Sequence, residues 1–331
     1  VPGSGLTAPF ALGTFASSDT PFPGLVAADH VLDLRTVADR LPSAGPLSTR
    51  DLLEHWTDAV PVLHELLDQR DTLGPWLDLS DLHVCAPIEP RQIIQAGANY
   101  RKHVIDLAVQ HAEISAGRTE AEIRAETAAM MDRRSAEGIP YFFIGLPSAI
   151  TGPYDDVELP DYSAKHDWEL ELAAVIGTRA FHVEASEALD HVAAYTIVND
   201  LTTRDLVFRR DMPEIGTDWF RAKNAPGFLP LGPYLVPSEY VGDPAGLQLT
   251  LRLNGDVMQD ESAKDMIFDV ASLIAHASQT TPLLPGDLVL TGSPAGNGIH
   301  HGRLLRDGDV MESTITGLGY QRTRCVGGQS Q

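Results

Sequence analysis

The sequence predicts a mixed α/β, sheet-rich fold with a small N-terminal α+β domain and a helical insertion. Three observations predict it. Short apolar runs separated by Gly152-Pro153, Gly232-Pro233, Asn254-Gly255 and Pro285-Gly286 dominate the C-terminal half, one helical periodicity lies near residue 50, and a stretch rich in Ala, Glu, Arg and Met interrupts them at 104–138. A chain of 331 residues makes one large domain plus a smaller one at about 150 residues per domain, or a single large β-rich unit. Its 43% hydrophobic and 21% charged residues are ordinary for a folded globular protein.

Residues 6–34 alternate short apolar runs with Gly, Pro and Asp and end in Val31-Leu32-Asp33-Leu34, the pattern of small hairpin strands. From Ser48 to Leu67 the apolar residues Leu52, Leu53, Trp56, Val60, Leu63 and Leu67 recur at helical spacing, with Ser48 or Thr49 placed as the cap. Around Cys85-Ala86-Pro87-Ile88-Glu89-Pro90 the prolines punctuate the chain, which puts a boundary between domains 1–83 and 84–331. The 104–138 stretch, with Thr119-Glu120-Ala121-Glu122-Ile123-Arg124, has few β-formers and reads as helix. Ile123 and the Met130-Met131 pair form its apolar stripe, expected to pack. The later turn spacing leaves little room for crossover helices, so antiparallel or mixed sheet, in a sandwich or roll, is expected there.

A formal charge of −22 repels phosphate backbones and anionic lipid surfaces, which excludes nucleic acid and membrane as expected partners. It also opposes an acidic ligand, so such a ligand needs local cations or a metal. Only Cys85 and Cys325 are present, without a CxxC motif, and no run approaches the roughly 18–20 apolar residues of a membrane span. With no basic-then-apolar opening, a reducing, cytoplasmic location is expected.

The chemistry-bearing stretch is Asp167-Trp168-Glu169-Leu170-Glu171-Leu172-Ala173-Ala174-Val175-Ile176-Gly177. On a strand, side chains alternate faces, so Glu169 and Glu171 project to one side and Trp168, Leu170 and Leu172 to the other. Adjacent carboxylates raise one another's pKa unless a cation compensates, and a hard divalent ion is the usual partner. The apolar run Thr196-Ile197-Val198 ends in Asn199-Asp200, which supplies a third acid at a strand tip. Three carboxylates describe Mg²⁺ or Mn²⁺ rather than zinc. Alternation alone equally describes the solvent face of an edge strand.

The stretch from 84 to 326 resembles the fumarylacetoacetate hydrolase family. The resemblance is carried, in family order, by Gly97-Ala98-Asn99-Tyr100-Arg101-Lys102-His103, the E-x-E strand, Asn199-Asp200-Leu201-Thr202-Thr203-Arg204-Asp205, and Lys223 leading to Phe228-Leu229-Pro230-Leu231-Gly232-Pro233. Leu253-Asn254-Gly255, Asp265-Met266-Ile267-Phe268 and Pro285-Gly286-Asp287 through Gly298 complete it. It implies a mixed β-sandwich roll, commonly a homodimer, in which Glu169, Glu171 and Asp200 bind Mg²⁺ (or Mn²⁺ or Ca²⁺). It also implies that His103 is a base on a closing lid, and that Lys223 and Arg204 stabilise developing negative charge. Asp106 stands where the hydrolases often carry Glu, Val207 where fumarylacetoacetate hydrolases have Gln, and Gly145 where many relatives have Lys.

The expected reaction is metal-dependent cleavage of a C–C bond in an acylpyruvate or related β-dioxo acid. The ion stabilises the enolate leaving group, and His103, its tautomer fixed by Asp106 at i+3, activates water. Tyr100, Thr291 and Gly292 are expected to contact the small oxo or dioxo acid substrate, the last two through the Thr291 hydroxyl and loop N–H groups. Arg204, two residues from Thr202 and beside Asp205, equally well makes a structural salt bridge. His300 and His301 have no partners at metal spacing and are read as loop residues. The insertion is expected to enlarge a lid that selects a bulkier or more apolar acyl group. Decarboxylation, isomerisation or hydration at the same site is the alternative reaction, and a non-catalytic metal- or ligand-binding relative the alternative class.

Overall fold

A computed structural model describes residues 3–17, 20–43, 45–111 and 119–327. The N-terminal strands Ala11–Ala16, Phe22–Ala27 and His30–Asp33 pair antiparallel and are extended by Trp76–Asp78 on one edge and His83–Val84 on the other. The helix expected over 48–67 is two helices, Thr49–Glu54 and Trp56–Asp68, the first capped by Ser48. His55 breaks it because its Nδ1 bonds the Asp51 carbonyl at 3.0 Å, the acceptor a continuous helix would use for the His55 backbone N–H.

A six-stranded mixed sheet follows, in the order Val236–Pro237, Val192–Asn199, Leu170–Ile176, Leu288–Leu290, Ile93–Gly97, Tyr141–Gly145. Only the Leu288–Leu290 and Ile93–Gly97 pair is parallel. A second sheet of five strands orders Asp256–Ser262, Gln248–Leu253, Val310–Ile315, Tyr320–Gly327 and Val157–Leu159. This mixed, sheet-rich architecture agrees with the expectation from turn spacing.

The Leu170–Ile176 strand is buried on both faces and divides the interior. Leu170, Leu172, Ala174 and Ile176 join a core with Leu249, Leu251 and Met311 of the second sheet. Ala173 and Val175 point the other way, into a core with Leu12, Leu25, Leu52 and Leu63 from the N-terminal segment. Two-sided burial explains why the run from Leu172 is continuously apolar rather than alternating. It also leaves the face of Ala173 and Val175 to continue, at the strand's entry, into Glu169 and Glu171.

The 104–138 stretch is helical where described: Arg101–His111 and Glu120–Glu137, the second opened by a capping box between Thr119 and Glu122. Ile123 and Met131 are buried with Thr127, as expected of a packing stripe. Met130, expected on that stripe, is 47% exposed, because one residue is 100° of rotation on an α-helix. Among the described residues, no helix is long and apolar enough to cross a membrane.

Candidate active site

Backbone pairing brings the three acids together. Leu170 pairs with Asn199, the Asp200 N–H donates to the Glu169 carbonyl at 2.9 Å, and the Glu169 N–H donates to Asn199 Oδ1 at 2.8 Å. The strand tip carrying Asp200 is thereby clamped beside the E-x-E segment. Glu169, Glu171 and Asp200 are all buried, and each offers a carboxylate oxygen within 4.8 Å of the others.

Two cations reach them. Lys223, at the end of the short helix Trp219–Lys223, is 2% exposed; its Nζ lies 2.5 Å from Glu169 Oε2, 2.7 Å from Asp200 Oδ2 and 2.8 Å from the Asp200 carbonyl. Phe143 and Trp219, stacked 4.9 Å apart, put ring faces 5.8 and 6.0 Å from the ammonium, a partial aromatic cage. Arg204 spans Asp167 Oδ2 and Glu169 Oε1, both at 2.7 Å. Its structural and cleft-facing roles are therefore combined in one side chain, which also lines the cavity beside the acids.

Charge is unevenly balanced. Burial would raise the Glu169 carboxyl, yet Lys223 and Arg204 overcome it and hold it down to about 2. Burial and the Asp200 charge push Glu171 well above the usual carboxylate range. Burial and Glu169 push Asp200 up to about 6 despite Lys223. Among the described residues neither Asp200 oxygen, both buried, has a hydrogen bond of normal geometry, and Lys223 Nζ meets Oδ2 as an ion pair. Carboxylates short of donors and held near protonation are what a hard cation with oxygen preference relieves, so the residues fit a divalent metal. Glu169, Glu171 and Asp200 would hold it.

His103, expected to be the base, lines the cavity, where it is 6% exposed and burial pushes its imidazole down to about 3. Its expected partner is wrong. Asp106 accepts from Arg124 Nη1 at 2.8 Å, while His103 Nδ1 meets His300 Nε2 at 3.1 Å. The antiparallel helix Glu120–Glu137 supplies Arg124, a stronger partner for a carboxylate than a neutral imidazole. His300, read as a loop residue, sits in the one-turn helix Gly298–His301.

Tyr100, Thr291 and Gly292 do not line the cavity and are corrected as substrate contacts. The Thr291 hydroxyl donates to the Leu172 carbonyl at 3.1 Å, and the Gly292 N–H donates to Glu171 Oε2 at 2.8 Å. Gly292 has φ +86°, and a Cβ there would lie 3.0 Å from the Ala96 carbonyl, so the loop approaches Glu171 closely only as glycine. Tyr100 is fully buried behind this contact. These residues hold Glu171 in place from behind.

Sequence reasoning also missed Asp167. It is 0% exposed and accepts from the Gly298 N–H at 2.6 Å, the Ile299 N–H at 3.1 Å and Arg204. Its place one step outside the E-x-E alternation was the available signal.

The family model described as fumarylacetoacetate (FAA) hydrolase C-terminal matches residues 92–326, spanning every one of these groups. The chain belongs to the fumarylacetoacetate hydrolase family. A Xenopus laevis family protein named oxaloacetate tautomerase fahd2, mitochondrial, is 33% identical over 92% of this chain and 86% of its own. A Sphingomonas sp. (strain SKA58) 2,4-didehydro-3-deoxy-L-rhamnonate hydrolase is 43% identical over 55% of this chain and 64% of its own. Among solved family structures, maleylpyruvate hydrolase from Sphingobium sp. SYK-6, in complex with manganese (II) ion and pyruvate, superposes with a TM-score of 0.71 at 25% identity. That superposition covers 96% of this chain and all of that one. The family thus holds hydrolases and tautomerases, and a divalent metal accords with both this relative and the acidic cluster.

Proposed function

We propose that this protein is a divalent-metal-dependent hydrolase that cleaves a C–C bond in an acylpyruvate or related dioxo acid. The observation that carries the proposal is the convergence of Glu169, Glu171 and Asp200 beside a buried base, the buried Lys223 and the part-buried Arg204. A divalent ion, Mg²⁺ or Mn²⁺, would polarise the substrate's keto oxygen and favour its enolate form. His103 removes a proton from water as the new C–O bond forms at the acyl carbonyl. The C–C bond then breaks, and a proton is returned to the enolate carbon, giving pyruvate and a carboxylic acid. Lys223 and Arg204 lower the cost of the negative charge that develops.

Two adjoining cavities set the substrate's size. One of about 270 Å³ is lined by Glu169, Glu171 and His103; the other, about 410 Å³, shares Leu107, Arg204, Phe208 and Trp219 with it and adds Val207, Ile299 and Leu304. An apolar acyl group longer than acetyl fits the second. Leu107 comes from the first helix of the insertion, which supports its reading as a lid. Ile139, Tyr141 and Ile144, exposed beside and along the edge strand Tyr141–Gly145, offer apolar surface to a second copy, so a homodimer is part of the same reading, as is a reducing compartment.

Tautomerisation or decarboxylation of an oxo acid is the second reading. It is favoured by His103 Nδ1 meeting the His300 ring, with no carboxylate bonded to His103 among the described residues, because it requires proton transfer at carbon without activated water. Turnover of a panel of acylpyruvates and oxo acids with Mg²⁺, with Mn²⁺ and with EDTA tests both. Pyruvate plus free acid as products, lost on chelation, is expected; interconverted keto and enol forms alone point to the second reading.

A further inference from the structure

His103 and His300 come from positions 197 residues apart and meet edge to face, ring centroids 5.1 Å apart and planes at 82°. Nδ1 of one and Nε2 of the other are 3.1 Å apart, so one carries the proton and the other the lone pair. The contact is built. His300 lies on the Gly298–His301 turn, and that turn is pinned by Asp167 through the Gly298 and Ile299 N–H groups. A Cβ on residue 298 would lie 2.6 Å from Asp167 Oδ1 and 2.3 Å from the Arg303 carbonyl, so only glycine lets the turn come this close. The same Asp167 binds Arg204, so one buried carboxylate registers both His300 and the cleft arginine.

Two tautomeric arrangements satisfy the contact, and the reading of His103 as the site's base chooses between them. The remaining ring nitrogen of His300, Nδ1, is buried and bonds to none of the described residues, so His300 meets His103 through Nε2 alone. A base needs a lone pair on the ring nitrogen that is left free, His103 Nε2. His103 then carries its proton on Nδ1, and His300 Nε2 accepts it.

We infer that His300 is a positioning residue whose Nε2 accepts a hydrogen bond from His103 Nδ1–H, fixing His103 with its Nε2 lone pair as the basic atom. The inference rests on the reading of His103 as the site's base. It puts an imidazole where a base is more often oriented by a carboxylate, while Asp106 is bonded to Arg124.

The test uses three proteins, wild type, His300→Phe and His300→Gln, and two readouts. Nitrogen-15 NMR of the His103 ring, in protein stripped of metal, is expected to show a protonated Nδ1 and an unprotonated Nε2 in wild type. A shift toward the opposite tautomer is expected in His300→Phe, and retention of the wild-type form in His300→Gln, whose amide oxygen replaces the acceptor. In the metal-loaded enzyme, His300→Phe is expected to lower kcat about 100-fold with KM and Mn²⁺ affinity within about twofold, and His300→Gln to recover most of the loss. A wild-type His103 protonated on Nε2, or a tautomer unmoved in His300→Phe, overturns the inference. So does unchanged kcat in His300→Phe when His103→Ala is inactive. Failure of wild type to turn over any dioxo or oxo acid would instead overturn the proposed function, and the NMR result would still decide the role of His300.

Discussion

Replacing Lys223 by Met is expected to destabilise the metal-free protein while tightening its hold on a divalent cation. The ammonium lies 2.5 Å from one Glu169 oxygen and 2.7 Å from one Asp200 oxygen, fully buried. Each contact amounts to roughly 6 kcal/mol of gross Coulomb attraction at an effective dielectric near 20. Desolvation cancels much of that, and removing one partner of a buried pair costs about 3–5 kcal/mol because the other charge is left bare. At about 2 °C per kcal/mol for a large domain, Tm in EDTA should fall by about 6–10 °C. Met fills most of the volume and stays against Phe143 and Trp219, so the loss reports charge rather than a cavity.

Saturating Mn²⁺ should recover at least half of that loss, since the ion compensates the acids that lysine no longer faces. Mn²⁺ affinity should rise by about tenfold, because a like charge leaves the site. Differential scanning calorimetry at pH 8, in EDTA and in Mn²⁺, with titration calorimetry for the ion, measures both. An equal fall in Tm with and without Mn²⁺, or a fall under about 2 °C in EDTA, would refute the view that Lys223 and the metal share the same three acids.

Glu171→Gln should abolish tight Mn²⁺ binding, by about 100-fold or more, yet raise Tm in EDTA at pH 8. The Glu171 carboxyl is held above its unfolded pKa by burial and Asp200, so its ionised form costs stability at high pH. Asp200, raised to about 6, binds its proton more tightly folded than unfolded, so the metal-free protein loses stability as pH rises through that value. His103 and His300, held down by burial, act oppositely below about 6.5, where unfolding lets them charge. The difference in Tm between Mn²⁺ and EDTA cancels the histidines and should widen from pH 5 to 7, with Mn²⁺ affinity rising about tenfold per pH unit for each proton displaced. A flat difference would mean that the ion binds elsewhere. His103→Ala should lower turnover by about 10²–10⁴-fold and leave Mn²⁺ affinity within about twofold, which steady-state kinetics and calorimetry check together. Val207→Asp should cut kcat/KM for a hexanoyl substrate at least about tenfold more than for acetylpyruvate, the charge being left against an apolar wall.

What was legible in the sequence is what local geometry alone decides. Period-two alternation placed Glu169 and Glu171 on one face, and a strand ending at Asn199 put Asp200 at its tip; pairing of adjacent strands then had few ways to separate them. The break at His55 was not legible, because a ring nitrogen capturing a carbonyl leaves the apolar spacing intact. The His103 partner failed for a different reason. Asp106 at i+3 satisfies helix geometry, but Arg124 on the next helix outbids a neutral imidazole, and His300 arrives from a turn that only the buried Asp167 defines. Thr291 and Gly292 look like a free anion cradle as a string of letters. Their donors are already committed to Leu172 and Glu171, a fact that exists only in three dimensions.

The acid surplus at the site and the charge of the whole chain follow one logic. Among the described residues, Arg204 and Lys223 are the cations ion-paired within the cluster of Asp167, Glu169, Glu171 and Asp200, so with every group ionised four negative charges meet two positive and leave −2. An oxo acid entering that cluster, on a protein already at −22, meets repulsion at long range and again on contact. A divalent ion brings the cluster to neutrality and offers the one centre to which an anionic oxygen is drawn. Lys223 and Arg204 are too few to do this, and the charge of each is already engaged, Lys223 by Glu169 and Arg204 by Asp167. Metal loading therefore sets whether the cleft attracts or repels its own substrate, which explains why two buried carboxylates are held above their ordinary pKa at a steady cost in stability.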